Sequence, residues 1–261
     1  SSEDTVFYFT TCGWMMWNWL VSNLAIGATI VLYDGSPFYP NSKAMWHMVD
    51  DFDITIFGTS AKFIAASSDK GVRPIDTHDL GSIKTILSTG SPLVEEGFDY
   101  VYSQVKKDVQ LASFSGGTDI ISSFVGANPT LPVVRGEIQC KMLGMKVESY
   151  NSEGKAVIGD KGELVCTRAF PSMPVYFWND EDSKKYKHTY FKTFPGVWDH
   201  GDFISINDSG GIKILGRSDA TLNPSGIRFG TAELYRVVEA LIEVEDSLAV
   251  GQLWGADERV I

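Results

Sequence analysis

Ile83-Lys84-Thr85-Ile86-Leu87-Ser88-Thr89-Gly90-Ser91-Pro92 decides the fold. Its first half is β-branched and apolar, as a strand requires, and its second half is a turn of hydroxyls, glycine and proline. Glu95 to Val105 then reads as a helix, and Gln110-Leu111-Ala112-Ser113 opens another strand. The same alternation runs upstream. Ile54-Thr55-Ile56-Phe57 reads as a short strand, and Thr59 to Ser67 as a helix with a Thr59 or Ser60 cap. Asn41 to Asp51 carries Ala44, Met45, Met48 and Val49 at helical spacing. From Thr5 to Gly35 the pattern is helix-like and then strand-like, with a buried helix over Trp14 to Ala25 and a strand over Ala28 to Tyr33. Strands alternating with helices at this spacing predict a mainly parallel sheet with helices on its faces. Ligands on such sheets sit beyond the carboxyl ends of the strands, where the turns at Gly90 and Gly116-Gly117 fall.

From about Gly136 the character changes to short runs between turns. These include Gly144 to Tyr150, Gly162 to Cys166, and a hairpin of Ile204-Ser205-Ile206 with Ile212 to Leu215 around Asn207-Asp208-Ser209-Gly210-Gly211. This predicts a small antiparallel sheet or barrel. Ala232 to Ile242 reads as one further helix. The expected fold class is α/β: a parallel-sheet layer with helices over residues 1–135, a β-barrel-like subdomain over 136–216, and the start of a small α/β C-terminal domain over 217–261.

The 261 residues are 44% hydrophobic and 21% charged, which is ample for one large core or two modest ones. The net charge of −11 argues against a nucleic-acid binder and against a polybasic membrane contact, while leaving room for a local phosphate pocket. No apolar run reaches the ~18 residues of a membrane span. Cys12, Cys140 and Cys166 are far apart and odd in number, so neither a zinc site nor a disulfide framework is expected. Ser1 to Thr5 carries two acids and no basic region, unlike a signal peptide. The chain starts without Met and ends on Val260-Ile261, and both ends read as cut.

Three clusters carry groups suited to chemistry. In Phe114-Ser115-Gly116-Gly117-Thr118-Asp119, glycines admit close approach of backbone, hydroxyls bond phosphate oxygens, and a carboxylate can hold Mg²⁺. In Trp198-Asp199-His200-Gly201-Asp202, an Asp after a Gly turn at a strand start can accept both hydroxyls of a ribose. In Gly216-Arg217-Ser218-Asp219 with Asn223-Pro224-Ser225-Gly226-Ile227-Arg228, two arginines can contact phosphate. Each cluster alone also reads as an ordinary turn or solvated loop. There is no GxxxxGK[ST] and no GxGxxG.

Taken in order, the clusters resemble the adenylate-forming enzymes. The stretch from Gly216 to Glu233 resembles that family's hinge signature, in the form of its acetyl-CoA synthetase branch. Within the branch, Thr11 to Trp17 and Phe114 to Asp119 are similar to the members that act on acetoacetate. The resemblance implies a ligase that uses ATP, Mg²⁺ and CoA: carboxylate and ATP give an acyl-adenylate and pyrophosphate, and CoA then displaces AMP. It implies that Asp119 meets Mg²⁺ and Thr118 the α-phosphate, and that Gly226 and Arg228 belong to the segment approaching phosphate and pantetheine. It places Thr89, Gly90, Ser91 and Pro92 along the adenine and acyl sites, Asp202 at the ribose, Arg217 at the nucleotide, and Asp219 at the hinge. Two departures stand out. Ser115 occupies the position of an adenine-stacking aromatic, and Gly116 that of a Trp that closes the acetate pocket. The expectation is that Gly116 makes room for the longer acid while Trp14, Met15 and Met16 form the opposite wall. The family's phosphate loop and adenylation lysine are expected outside these residues. Loss of such a cation costs a factor of ~100 or more, so the chain alone is expected to be inactive. The resemblance also implies a cytosolic setting. Acetate- or propionate-activating enzymes, and a non-catalytic nucleotide-binding product, remain the alternatives.

Overall fold

The computed structural model describes residues 1–218, 221–222, 229–241, 243–244, 246–254 and 257–261. They divide into two compact units, Ser1–Leu143 with Ser172–Pro174, and Gly144–Pro171 with Val175–Ile261. The first unit thus runs past the change of character at 136, because a strand at Cys140–Lys141 pairs back onto Val125 and Gly126.

The first unit is built on five parallel strands: β1 (Thr5–Tyr8), β2 (Thr29–Val31), β3 (Ile56–Ser60), β4 (Thr85–Thr89) and β5 (Gln110–Ser113). Their order is β2-β1-β3-β4-β5. Helix α1 (Met15–Ser22) leads from β1 to β2, α2 (Ala44–Asp51) from β2 to β3, α3 (Ala61–Asp69) from β3 to β4 and α4 (Glu95–Tyr100) from β4 to β5. Strand β1 was not read from the sequence as a strand. Its four residues give too short a window for periodicity, and the Trp/Met run behind them dominates the signal.

Side-chain alternation sorts the sheet into two cores. Phe7, Phe57, Ile86 and Leu111 stand in register across four strands and pack with Met45, Trp46 and Val49 of α2, Phe63 and Ile64 of α3, and Phe98 of α4. The other face presents Val6, Tyr8, Ile56 and Leu87 to α1, whose Met16 and Leu20, four apart, both turn toward the sheet. Ser60 caps α3 as expected, its hydroxyl accepting from the Phe63 N–H at 3.2 Å. Helix α4 carries Glu95 and Glu96 in its first turn, where the helix dipole favours them, and widens into one π-helical turn at Val101–Val105.

After β5 the chain makes a small antiparallel sheet, β6 (Ser115–Gly117), β7 (Ser122–Gly126) and β8 (Cys140–Lys141); the sequence reading placed Gly116-Gly117 in a turn and assigned no strand here. The second unit holds β9 (Val147–Tyr150), β10 (Gly162–Cys166), β11 (Trp198–Ile206) and β12 (Ile212–Arg217), antiparallel in the order β12-β11-β10-β9. Among the described residues this is an open sheet with two edges rather than a barrel; four short strands are too few to close on themselves. The predicted hairpin is the β11–β12 pair, whose turn Asn207 holds by accepting from the Gly211 N–H at 2.8 Å. Between β10 and β11, α5 (Lys184–Phe191) packs Tyr186, Tyr190 and Phe191 around the buried Trp198. Further on come β13 (Thr221–Leu222), β14 (Phe229–Gly230), α6 (Thr231–Val238), β15 (Gly251–Trp254) and β16 (Asp257–Val260).

Candidate functional site

The strand order of the first unit places its topological switch between β1 and β3, since the chain leaves β1 toward β2 on one side and returns to β3 on the other. Beyond the carboxyl ends of these strands lie the β1–α1 connection, the start of α3, and the turn after β4. Strand pairing continues to the last residues: Ser60 is in register with Thr89, and Ser88 with Ser113. Past the last register pair, the Phe114 N–H donates to Ser88 O at 3.1 Å, and the Thr89 hydroxyl donates to Phe114 O at 2.8 Å. The Thr89–Pro92 turn and the segment entering β6 are thereby fixed to each other. Gly90 takes φ +92°, a left-handed conformation open to glycine. The ring of Trp14 lies 3.6 Å from where a Gly90 Cβ would be, so the turn rests against the indole. Trp14 in turn meets the Tyr8 ring edge-on at 5.8 Å, and Met15, Leu87 and Phe114 belong to the same apolar cluster. Gly90, Ser91 and Pro92 are exposed above it. Thr89, Gly90, Ser91, Pro92, Trp14 and Met15 are thus gathered at one end of the sheet. Met16 is not with them on the open side: it is 2% exposed, turned into the core beneath α1.

Ser115-Gly116-Gly117 is strand β6, and Thr118 to Ile121 is the turn of the β6–β7 hairpin, closed by the Ile121 N–H donating to Thr118 O at 3.1 Å. Thr118 and Asp119 are both exposed at this tip, where a ligand can reach hydroxyl and carboxylate. Gly116 has a different reason for its lack of side chain than the one expected. It pairs with Ser123 beside a bulge, and a Cβ there would lie 2.1 Å from Ser122 O and 2.5 Å from Ser123 Cα. The glycine is demanded by the close approach of β7, and the direction of a side chain at 116 leads into backbone, not into open space.

In the second unit, Asp202 and Arg217 stand in register on β11 and β12. Arg217 Nη1 donates to Asp202 Oδ1 at 3.3 Å, and His200 Nε2 lies 3.8 Å from Asp202 Oδ2. The Trp198–Asp202 segment is not a turn before a strand but the first half of β11, with Gly201 at φ +78°. Burial alternates along that strand, so Trp198, His200, Asp202, Ile204 and Ile206 share the inward side. Asp202 is only 6% exposed and His200 only 8%. The reading from sequence missed His200, although the period of two from Trp198 to Ile206 puts it beside Asp202. Asp219, Gly226 and Arg228 lie outside the described residues.

No family model matches the chain. It is 55% identical over 263 residues to an acetoacetyl-CoA synthetase of Xenopus tropicalis, which covers 100% of this chain and 39% of the relative. To the acetoacetyl-coenzyme A synthetase of Rhizobium meliloti (strain 1021) it is 58% identical over 258 residues, 99% of this chain and 40% of that one. Among solved structures, an acetoacetyl-CoA synthetase from Streptomyces lividans superposes with a TM-score of 0.88 at 46% identity, over 95% of this chain and 38% of that one. The chain therefore spans about two fifths of the length of these relatives. Along the whole of that span the chain is similar, in sequence and in fold, to acetoacetyl-CoA synthetases.

Proposed function

We propose that the chain carries the acyl- and nucleotide-facing part of an acetoacetate–CoA ligase. In the proposed reaction the carboxylate of acetoacetate attacks the α-phosphorus of ATP, giving acetoacetyl-adenylate and pyrophosphate. The CoA thiol then adds to the acyl carbon, loses its proton, and expels AMP. The observation that carries this reading is the joining of two turns at the carboxyl end of the sheet, by Thr89 and Phe114, over a floor of Trp14, Met15 and Leu87. An apolar floor beneath exposed glycine and hydroxyl groups suits a short acyl chain bonded to a phosphate.

Thr118 and Asp119 at the hairpin tip are assigned to the α-phosphate and to Mg²⁺. The fit to that ion is good: Mg²⁺ beside nucleotide takes one or two protein carboxylates and completes its shell with phosphate oxygens and water. Asp119 is one such carboxylate, and among the described residues no three His, Cys, Asp or Glu side chains gather that would hold an ion by themselves. When bound, the ion supplies charge neutralisation on the phosphates. Gly90, Ser91, Pro92 and Ser115 are assigned to the nucleotide, as are Asp202 and Arg217. Buried, clasped by Arg217 and faced by His200, Asp202 meets a ribose only if that pairing opens. The same reading implies a cytosolic protein that supplies activated acetoacetate to lipid synthesis. Among the described residues no helix is long and apolar enough to cross a membrane.

The test is calorimetric titration of the chain with non-hydrolysable acetoacetyl- and acetyl-adenylate analogues. Preferential binding of the acetoacetyl analogue is expected, weakened by Asp119→Asn and by Thr89→Val. Equal affinity for both analogues removes the acetoacetate assignment; binding of neither removes the assignment of a nucleotide site to this chain.

A further inference from the structure

The connection from α3 to β4 crosses the surface in a single 3₁₀ turn, Pro74–Asp76, followed by Thr77 and His78. The backbone N–H groups of Thr77 and His78 both donate to Pro74 O, at 3.0 and 2.9 Å, which fixes the position of the His78 side chain. Its Nδ1 lies 2.8 Å from the Thr77 hydroxyl, and its Nε2 lies 3.0 Å from Nδ1 of His47, on the exposed side of α2. The Thr77 hydroxyl directs its proton to Arg73 O at 3.3 Å. Its oxygen is then the acceptor for the Nδ1–H of His78, and the lone pair on Nε2 of His78 accepts from the Nδ1–H of His47. Neither ring has a role in the site proposed above.

We propose that His47 and His78 form a two-nitrogen chelate for a borderline divalent transition ion of the Zn²⁺ class, tying the α3–β4 connection to α2. Imidazole nitrogens bind such ions at about 2.0–2.1 Å, so two of them on one tetrahedral ion are about 3.3 Å apart, and this pair at 3.0 Å has only to part by a few tenths of an ångström. Thr77 supplies the outer hydrogen bond that a metal-ligating histidine requires to fix its tautomer and ring orientation. The charged groups that face His78 are Asp50 and Lys43, at the two ends of the same stretch of helix. The carboxylate favours a cation at the pair and the ammonium opposes it. No third ligating side chain joins them among the described residues, so water completes the shell. Hard ions such as Mg²⁺ prefer oxygen and are not accepted here. Binding needs no net loss of a proton from the neutral pair: His47 gives up its Nδ1 proton to solvent and takes one at Nε2. Protonation of either ring competes with the ion, so affinity falls as pH drops.

The experiment is titration of Zn²⁺ into the metal-free chain at neutral pH, for the parent and for His47→Gln, His78→Gln and Thr77→Val, with His188→Gln as control. One ion per chain is expected, with affinity lowered at least about tenfold by either histidine change, lowered by a similar or smaller factor by Thr77→Val, and unchanged by His188→Gln. X-ray absorption at the zinc edge of the loaded parent supplies a readout independent of any variant, with two imidazole nitrogens expected. Absence of saturable uptake by the parent, parental affinity in His47→Gln or in His78→Gln, or a shell without imidazole overturns the proposal.

Discussion

Gly58→Ala is the sharpest single perturbation of the ligand-facing end of the sheet. Gly58 stands in register with Tyr8 on the neighbouring parallel strand. A Cβ at position 58 would lie 2.0 Å from Cδ2 of the Tyr8 ring, where an ordinary contact begins at 3.4 Å, and the two next-nearest atoms belong to the same ring. The ring cannot yield freely. It is 2% exposed, its hydroxyl donates to Thr59 O at 2.9 Å, and Trp14 and Trp19 both meet it edge-on at 5.8 Å. Overpacking of this kind costs about 1–3 kcal/mol, and losing the buried hydrogen bond adds about 1 kcal/mol.

A double-mutant cycle isolates the cause. Tyr8→Ala alone removes a large buried aromatic and costs about 3–5 kcal/mol, the range for such truncations. In that background the methyl group added at position 58 enters the space the ring has left. Gly58→Ala should then cost nothing, or stabilise by about 0.5 kcal/mol, because alanine has less backbone entropy to lose than glycine in a strand. The expected coupling is therefore about 2–4 kcal/mol in favour of the double variant, read from urea unfolding of the four proteins. Because Trp14 rests on both Tyr8 and the Gly90 turn, Gly58→Ala should also weaken binding of the acetoacetyl-adenylate analogue. An equal cost in both backgrounds, or a cost below about 0.5 kcal/mol in the parent, refutes the steric argument.

Gly116→Ala should destabilise by about 1–3 kcal/mol through its clash with the β7 backbone, and Gly116→Trp by more; a tryptophan variant as stable as the parent in thermal unfolding would show that the hairpin can part. Acid stability should depend on Asp4. Lys84 beside it, with Ser1 and Thr55, holds the Asp4 carboxyl well below the usual carboxylate range. A lowered folded value means stabilisation that is full above the unfolded pKa of about 3.9 and lost as pH falls through the folded one. Unfolding free energies of the parent and Asp4→Asn should accordingly differ at neutral pH and converge in strong acid. A constant difference across that range contradicts the assignment.

The parallel sheet was legible because four of its five strands leave a signal that short-range chemistry can carry: an apolar run, β-branched in three of them, closed by glycine, proline or hydroxyls. Boundaries were less so. The expected strand Ile83 to Leu87 is β4 at Thr85–Thr89, two residues on, since pairing with β3 and β5 extends order into the turn where local propensity does not. The turn at Gly90 was singled out through the rule that ligands sit at strand carboxyl ends and Trp14 through the resemblance, and the structure sets the two side by side. What the sequence could not convey is direction. Met16 is one residue from Met15 yet faces the core, and Asp202 is turned inward by the alternation of a strand that was taken to begin after it. The first depends on which side of α1 meets the sheet and the second on the pairing of β11 with strands distant in the chain.

Gly116 shows how the two kinds of information combine. By position it stands where the resembled branch has an indole closing a small pocket, and the inference from sequence was that hydrogen in place of indole leaves space. The backbone of β7 occupies the direction a Cβ would take, so an indole here demands a different β6–β7 pairing, not merely a different side chain. Space for a longer acid is then a property of how the hairpin sits over the floor. The side chains that can adjust it are Trp14, which meets the Gly90 turn, and Thr89, which holds the Phe114 carbonyl, with Met15 in the apolar cluster beneath them. Conversion of the proposed specificity toward a shorter acid is accordingly expected to need the hairpin register changed together with position 116. The register change involves the bulge that now separates Ser115 from Gly116, because that bulge is what brings Ser122 O against the glycine.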